Sequence, residues 1–195
     1  MSGPPSTTAR PGRAGEAARA RIVNAAIRCL IRDGAEASMA AIAAAAGVSK
    51  ALLHYHYADR ARLLAEVVGQ IVQRLVSRER AAMDAASGSG AVDALWSWLE
   101  GELEHGELRA LLELGMLHEP EVRNACAQAA QSRHRAATRT VEQLFMGLGL
   151  TPRVPATILA GASTAFIDGL ALDAGQRDPR VSFDVVWLAL LSLAE

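Results

Sequence analysis

The sequence is poor in aromatic residues and cysteine, and it contains a single lysine. Three Trp, two Tyr and three Phe are found among 195 residues, whereas 40 residues are alanine. Because alanine favours helices and aromatic residues favour strands, this composition disfavours an all-β fold. The two cysteines, Cys29 and Cys126, belong to no motif, so we expect no disulfide framework and a cytoplasmic protein. The longest run without a charged residue, 154–167, is too short to cross a bilayer, so we expect no membrane association.

Charge is distributed unevenly along the chain, although the net value is only −1. Residues 1–60 contain eight basic and four acidic side chains, whereas residues 61–195 contain twelve basic and seventeen acidic ones. A basic end on an acidic remainder is typical of a protein whose one end binds a polyanion. A protein that coats nucleic acid without sequence preference is disfavoured, because such a protein should be basic overall.

Apolar residues recur at helical spacing through most of the chain, and we find no strand-like alternation and no long repeat. The sequence therefore predicts an all-α fold of about nine helices. We expect a disordered tail over 1–14, a first domain over 15–62 and a second domain over 63–195. Turn and cap residues place the helices near 15–33, 39–46, 50–56, 60 to the Ser-Gly linker at 87–90, 91–104, 107–117, 120–148, 151–174 and 181–194.

Residues 38–57 have the pattern of a helix-turn-helix, in which two short helices are joined by Ala-Gly-Val-Ser. Gly47 permits the positive φ of a tight turn. Ser38 and Ser49 precede the two helices and are suited to cap them. In this motif the second helix enters the major groove of DNA, so the sequence predicts a DNA-binding domain.

The predicted second helix of this motif begins at Lys50 and ends at His56. Lysine binds guanine edges or phosphates, and tyrosine and histidine donate hydrogen bonds to either, so we expect Lys50 and Tyr55 to contact DNA. For Tyr57 we favour a position in the core, because aromatic residues at helical spacing usually pack. The alternative for the whole segment is a helical hairpin with ordinary aromatic packing.

Residues 18–68 resemble the N-terminal domain of the tetracycline-repressor (TetR) family. The residues that carry the resemblance are Gly34, Ser38, Ile42-Ala43, Ala46-Gly47-Val48-Ser49, His54-Tyr55-His56-Tyr57, Arg60 and Leu63-Leu64. The resemblance implies a three-helix DNA-binding domain followed by a helical domain that binds an effector and dimerises. It implies DNA-contacting or phosphate-clamping roles for Ser38, Lys50, Tyr55, His56 and Arg60, and the predicted surface also includes Ser49, Ala51 and His54.

The functional expectation is a repressor that a small molecule releases from a palindromic operator on double-stranded DNA. The alternative is an activator, or an effector-independent DNA-binding protein of the same fold. Four positions depart from the family pattern: Leu52 replaces a small residue or Thr, His54 replaces Tyr, Tyr57 replaces Phe and Arg60 replaces Lys. The operator sequence therefore does not transfer from relatives.

Two C-terminal segments predict a homodimer. Gly161, Ala165 and Gly169 recur every fourth residue, and small side chains in such a row let two helices approach closely. The last helix has a broad apolar face, so two helices from each subunit would form a four-helix bundle. The alternative is that both helices are central in a monomer core. The predicted interface residues are Ile158, Gly161, Ala162, Ala165, Phe166, Gly169, Phe183, Val186, Trp187 and Leu190.

The predicted effector pocket is mostly apolar, which favours a hydrophobic or aromatic ligand. Its candidate residues, each with ordinary core packing as the alternative, are Trp96, Leu99, Leu103, Met116, His118, Arg139, Phe145 and Phe166. The sequence has no histidine cluster with metal-ligand spacing, no nucleophile beside a base, no suitably spaced carboxylate pair and no phosphate-binding loop. We therefore expect no metal, no cofactor and no enzymatic activity.

Overall fold

A computed structural model describes residues 12–86, 88, 90–173 and 178–195, and within these residues the chain has nine α-helices and no β-strand. The predicted all-α fold of about nine helices is thus confirmed. The described residues do not include most of the predicted tail, Ser87 and Ser89 of the linker, or residues 174–177. The helices are α1 (Arg13–Asp33), α2 (Met39–Ala46), α3 (Lys50–His56), α4 (Arg60–Asp84), α5 (Gly90–His105), α6 (Glu107–Gly115), α7 (Pro120–Leu148), α8 (Ala156–Leu172) and α9 (Pro179–Leu191).

Local chemistry sets most helix ends. Gly34 ends α1 with a φ of 72°, and its N–H donates to the Leu30 carbonyl. The Asp59 carboxylate caps α4 by accepting the Arg62 N–H at 2.8 Å. The Asp178 carboxylate caps α9 in the same way, so that this helix begins two residues earlier than predicted.

The eighth helix begins later than predicted, because residues 151–155 are not helical. Thr151 donates its N–H to the Glu195 carbonyl at 2.9 Å, and Pro152 forms an isolated β-bridge with Ala194. Two prolines in this segment disfavour the helical conformation of the residues before them. The helix therefore starts only after Pro155, and the C-terminus of the chain is fixed against this segment.

Two hydrophobic clusters meet along α4. The first joins α1, α2, α3 and the first half of α4 to α6 and α7, and Ile22 and Leu53 are fully buried in it. The second joins the end of α4 to α5, α7, α8 and α9 around the fully buried Leu99 and Leu144. The domain boundary expected at 62–63 falls inside one continuous helix. Among the described residues, no helix has both the length and the apolar character of a membrane span.

Candidate DNA-binding site and effector domain

The turn between α2 and α3 has the geometry that its residues predict. The Ser38 Oγ accepts the Ala41 N–H at 3.2 Å, and the Ser49 Oγ accepts the Leu52 N–H at 3.1 Å. Between the two helices Gly47 adopts φ 64° and ψ 37°, the left-handed conformation that a Cβ disfavours. These two caps and this glycine fix the angle at which α3 leaves α2.

Most predicted DNA-contacting residues of α3 share its exposed face. Lys50, Ala51 and His54 are exposed, and Tyr55 is 83% exposed. The His56 ring is half-buried against the edge of Tyr55, with 5.4 Å between the ring centroids. Leu53 and Tyr57 point inward and are buried, as predicted for Tyr57. The arrangement presents a mixed basic and aromatic surface that a DNA groove can accept.

Arg60 occupies a different position from the one expected of a phosphate clamp. Its guanidinium donates to the carbonyl oxygens of Ala35 and Ala37 and lies 3.4 Å from the Glu119 carboxylate. Because these partners engage the charge inside the protein, Arg60 ties the first turn of α4 to the loop before α2 and to the start of α7. The sequence resemblance gave no sign of these tertiary partners.

A second arginine of this domain, Arg19, was not singled out from the sequence. Its guanidinium binds both oxygens of Glu66, with Nε distances of 2.8 and 2.9 Å, and lies 5.6 Å from the centre of the Tyr57 ring. Burial raises the pKa of the Tyr57 hydroxyl, and the nearby Glu66 charge raises it further. Together these contacts fix α1 on α4 behind the turn.

Comparison with known proteins agrees with this geometry. The family of bacterial regulatory proteins called tetR matches residues 22–67, which include α2, the turn and α3. The N-terminal domain of the chain belongs to the tetR family. The chain is accordingly a transcriptional regulator with a DNA-binding helix-turn-helix.

Nearly the whole chain is similar in fold to regulators of known structure. One example is a transcriptional regulator from Rhodococcus sp. RHA1, which is 20% identical over 90% of this chain and 97% of its own, with a TM-score of 0.72. Another is a TetR-family regulator from Agrobacterium tumefaciens, which is 19% identical over 91% of this chain and 97% of its own, with a TM-score of 0.71. A TetR-family regulator from Marinobacter aquaeolei VT8 has a TM-score of 0.62 at 19% identity, over 91% of this chain and 97% of that one. At these identities the likeness is one of fold. The search of curated proteins finds no match.

The predicted effector residues do not converge on one cavity in the part of the chain that the structure describes. Leu103 and Met116 line a cavity of about 520 Å³ between α5, α6 and α8. Arg139 lines a cleft of about 290 Å³ between α4 and α7, and Phe166 lines a space of about 30 Å³ between α8 and α9. Only Leu103 and Met116 therefore share a cavity.

The other four predicted effector residues lie away from these cavities. Leu99 and Phe145 are buried in the second hydrophobic cluster, and His118 is exposed. Trp96 packs against the Phe183 ring, with 5.3 Å between the ring centroids. Neighbouring helices thus cover the faces on which helical spacing placed Trp96, Leu99 and Phe145, whereas His118 lies outside the helices.

Trp98, which was not among the predicted pocket residues, faces the interior. It lines a space of about 30 Å³ together with Glu79, Arg133 and Thr164, and its indole N–H is buried without a hydrogen-bond partner in the described residues. The Glu79 carboxylate accepts the Thr140 hydroxyl at 2.6 Å. Burial raises the pKa of Glu79, although the Thr140 hydrogen bond opposes this rise.

A buried polar network joins α1, α4, α5 and α6. Arg78 binds both oxygens of Glu102, at 2.5 and 2.7 Å, and also binds Glu107 at 2.7 Å. Arg74 binds Glu107 at 2.8 Å and donates to the side chain of Asn24 in α1. Burial raises the pKa of Glu107, but the hydrogen bonds from the two arginines outweigh it and lower the pKa overall. Sequence spacing gave no signal for this network, because its members come from four helices.

The predicted dimer residues divide between exposed and buried positions. On α8, Ile158, Ala162, Ala165 and Gly169 are exposed, whereas Gly161 lies near His134 of α7. The α9 residues Phe183, Trp187 and Leu190 are buried in their own subunit, while Phe166 and Val186 are half-buried. The large apolar residues of α9 that are exposed are Val181, Val185 and Leu188, none of which the sequence selected.

Proposed function

We propose that this tetR-family regulator is a dimeric repressor that a small apolar effector releases from a palindromic operator. The observation that carries the proposal is the exposed face of α3, on which Lys50, His54 and Tyr55 stand beside a capped, fixed turn. A helix held in this way can enter a major groove and present its side chains to base edges. The DNA-binding domain ends within α4, and the effector-binding and dimerisation domain follows.

One helix of seven residues reads few base pairs, so a specific operator requires two copies of α3. A two-fold dimer supplies them with matching half-sites about one helical turn apart. The palindrome in the proposed operator thus follows from the symmetry of the protein.

The dimer interface that we propose is formed by the outward faces of α8 and α9. Ile158 of α8 is 61% exposed, and Val181, Val185 and Leu188 of α9 are 59%, 62% and 67% exposed. The three α9 positions recur at intervals of three or four residues and form an apolar stripe, and on α8 the exposed small residues Ala162, Ala165 and Gly169 follow Ile158 at the same intervals. Neighbouring apolar stripes on two helices are expected at a protein interface.

The effector site that we propose is the cavity of about 520 Å³, whose size suits a small organic molecule. Leu103, Met116 and Leu170 give it apolar walls, and Glu102 at its edge belongs to the buried network. A ligand that binds better to one arrangement of α5 and α6 would shift α4 and α1 through Arg78 and Arg74. Release of the operator would then be a population shift.

Selection of bound sequences from a random double-stranded DNA pool tests the proposal. We expect recovery of a palindrome whose binding resists a roughly 10³-fold excess of random DNA. Recovery of unrelated sequences would contradict specific binding, and a single unrepeated half-site would contradict the dimer. Retention of binding under a panel of hydrophobic ligands that do bind the protein would contradict release by an effector.

A further inference from the structure

The exposed face of α3 is divided into a polar edge and an apolar strip. At about 100° per residue, Lys50 and His54 lie along one edge, Ala51 and Tyr55 lie in the centre, and Leu52 lies along the other edge. Leu52 is 36% exposed, and of the large apolar side chains on α1, α2 and α3 only Ile31 and Tyr55 are also exposed. Two of these three therefore lie on the face that is free to enter a groove.

The composition of α3 limits how it reads bases. Its sequence, KALLHYH, contains no Arg, Asn, Gln, Asp or Glu. Arg, Asn and Gln make bidentate hydrogen bonds to guanine or adenine, and carboxylates accept from cytosine. Lys50 and the aromatic residues remain as hydrogen-bonding groups, and beyond them only apolar contact is available for direct readout. In the major groove the one apolar group on a base edge is the C5-methyl of thymine.

We propose that Leu52 reads a thymine methyl group in each operator half-site, with Ala51 and the Tyr55 ring beside it. This inference rests on the proposed function, because it names what the same surface recognises. A leucine side chain over a methyl group excludes water from both, whereas cytosine at that position would leave a polar amine against the apolar strip. The half-site therefore requires thymine, not merely a pyrimidine.

Replacement of single thymines by deoxyuridine tests the inference, because this change removes only the methyl group. The full-length protein and the operator recovered from the random pool are used, and affinity is measured by fluorescence anisotropy. We expect at least one thymine per half-site at which deoxyuridine weakens binding about fourfold, which corresponds to about 0.8 kcal/mol for one methyl group. Replacement in both half-sites should weaken binding about 15-fold.

Variants show whether Leu52 is the residue responsible. Leu52→Ala should bind thymine and deoxyuridine operators within about 1.5-fold of each other, and Leu52→Met should retain most of the fourfold difference. Ile31→Ala, which removes an exposed aliphatic side chain of α1, is the matched control and should retain the full difference. Melting temperatures of all variants report whether they are folded.

The inference and the proposed function can fail separately. If no specific DNA is recovered, the proposed function fails. If a specific operator is recovered but deoxyuridine is tolerated at every thymine, or if Leu52→Ala retains the full difference, only the thymine contact is refuted.

Discussion

Substitution of Leu188 in α9 should break the proposed dimer while leaving each subunit folded. Leu188 is 67% exposed in the single subunit and lies between the exposed Val185 and the exposed Ser192 on one face of the chain. Full burial of a leucine side chain is worth about 2 kcal/mol, so the exposed two thirds are worth about 1.3 kcal/mol when a partner covers them. Leu188→Ala should remove about 1 kcal/mol of this stabilisation of the dimer per subunit.

Two subunits double the effect on dimerisation. A loss of about 2 kcal/mol per dimer raises the dissociation constant about 30-fold. Leu188→Glu should have a larger effect, because dimerisation would bury two carboxylates without partners near a two-fold axis. Sedimentation velocity over a range of protein concentrations measures both changes, and we expect Leu188→Glu to sediment as a monomer.

Tyr55→Glu is the matched control, since it places the same charge at an exposed apolar position on α3. This variant should remain a dimer and lose operator binding, whereas Leu188→Glu should lose both. If Leu188→Glu sediments as a dimer with the wild-type dissociation constant, the dimer does not form through α9 and the reasoning from its exposed stripe is refuted.

Three further variants test the polar contacts of the interior. Glu102→Gln should lower the free energy of unfolding by about 2 kcal/mol and the melting temperature by about 4–8 °C, because Arg78 then keeps only Glu107 as a charged partner. The control is Asp84→Asn, which changes an exposed ion pair and should cost at most about 0.5 kcal/mol. Equal effects of the two substitutions would refute the role of burial. Burial raises the pKa of Glu79 in the folded protein. The protonated side chain therefore stabilises the fold fully below the unfolded-state pKa near 4.3, and this stabilisation is lost as the pH rises through the folded-state pKa. Glu79→Gln should therefore gain stability relative to wild type between pH 4.5 and 8 in urea denaturation, and a constant difference would contradict this. Arg60→Ala should lower stability by about 1–2 kcal/mol with an unchanged salt dependence of DNA binding, and a slope lower by about one would place Arg60 on a phosphate instead.

The features that sequence alone predicted well are those set by a few neighbouring residues. Ser38, Ser49 and Asp59 each cap the helix that follows them, and Gly47 makes the turn, because a cap or a left-handed residue acts within one turn of chain. The predicted start of α8 was wrong, because the segment before this helix pairs with the distant C-terminal residues. The contacts of Arg60 were missed for the same reason, because its partners lie in two other parts of the chain.

The two faces of α9 show why periodicity alone was insufficient. Both faces are apolar, so the spacing of apolar residues predicts a helix but does not say which of its faces lies inside. Phe183 and Trp187 are buried, and the smaller Val185 and Leu188 are exposed. Burial of the larger aromatic rings removes more apolar area from water and thus stabilises the subunit more. Side-chain size would have assigned the faces where spacing did not.

The contacts of α4 indicate how a change in the proposed effector domain would reach α3. At its first turn, Arg60 joins the loop before α2 to Glu119 of α7. About four to five turns further along, Arg74 and Arg78 join α1 to α5 and α6 through the side chains of Asn24, Glu102 and Glu107. Because the loop after α1 is held to α4 at the first level and α1 itself at the second, we expect the helix-turn-helix to move with α4 as one body. In the proposed dimer, a tilt of α4 would then change the distance between the two α3 helices. A ligand need only favour one tilt by about 3 kcal/mol to change operator occupancy more than 100-fold.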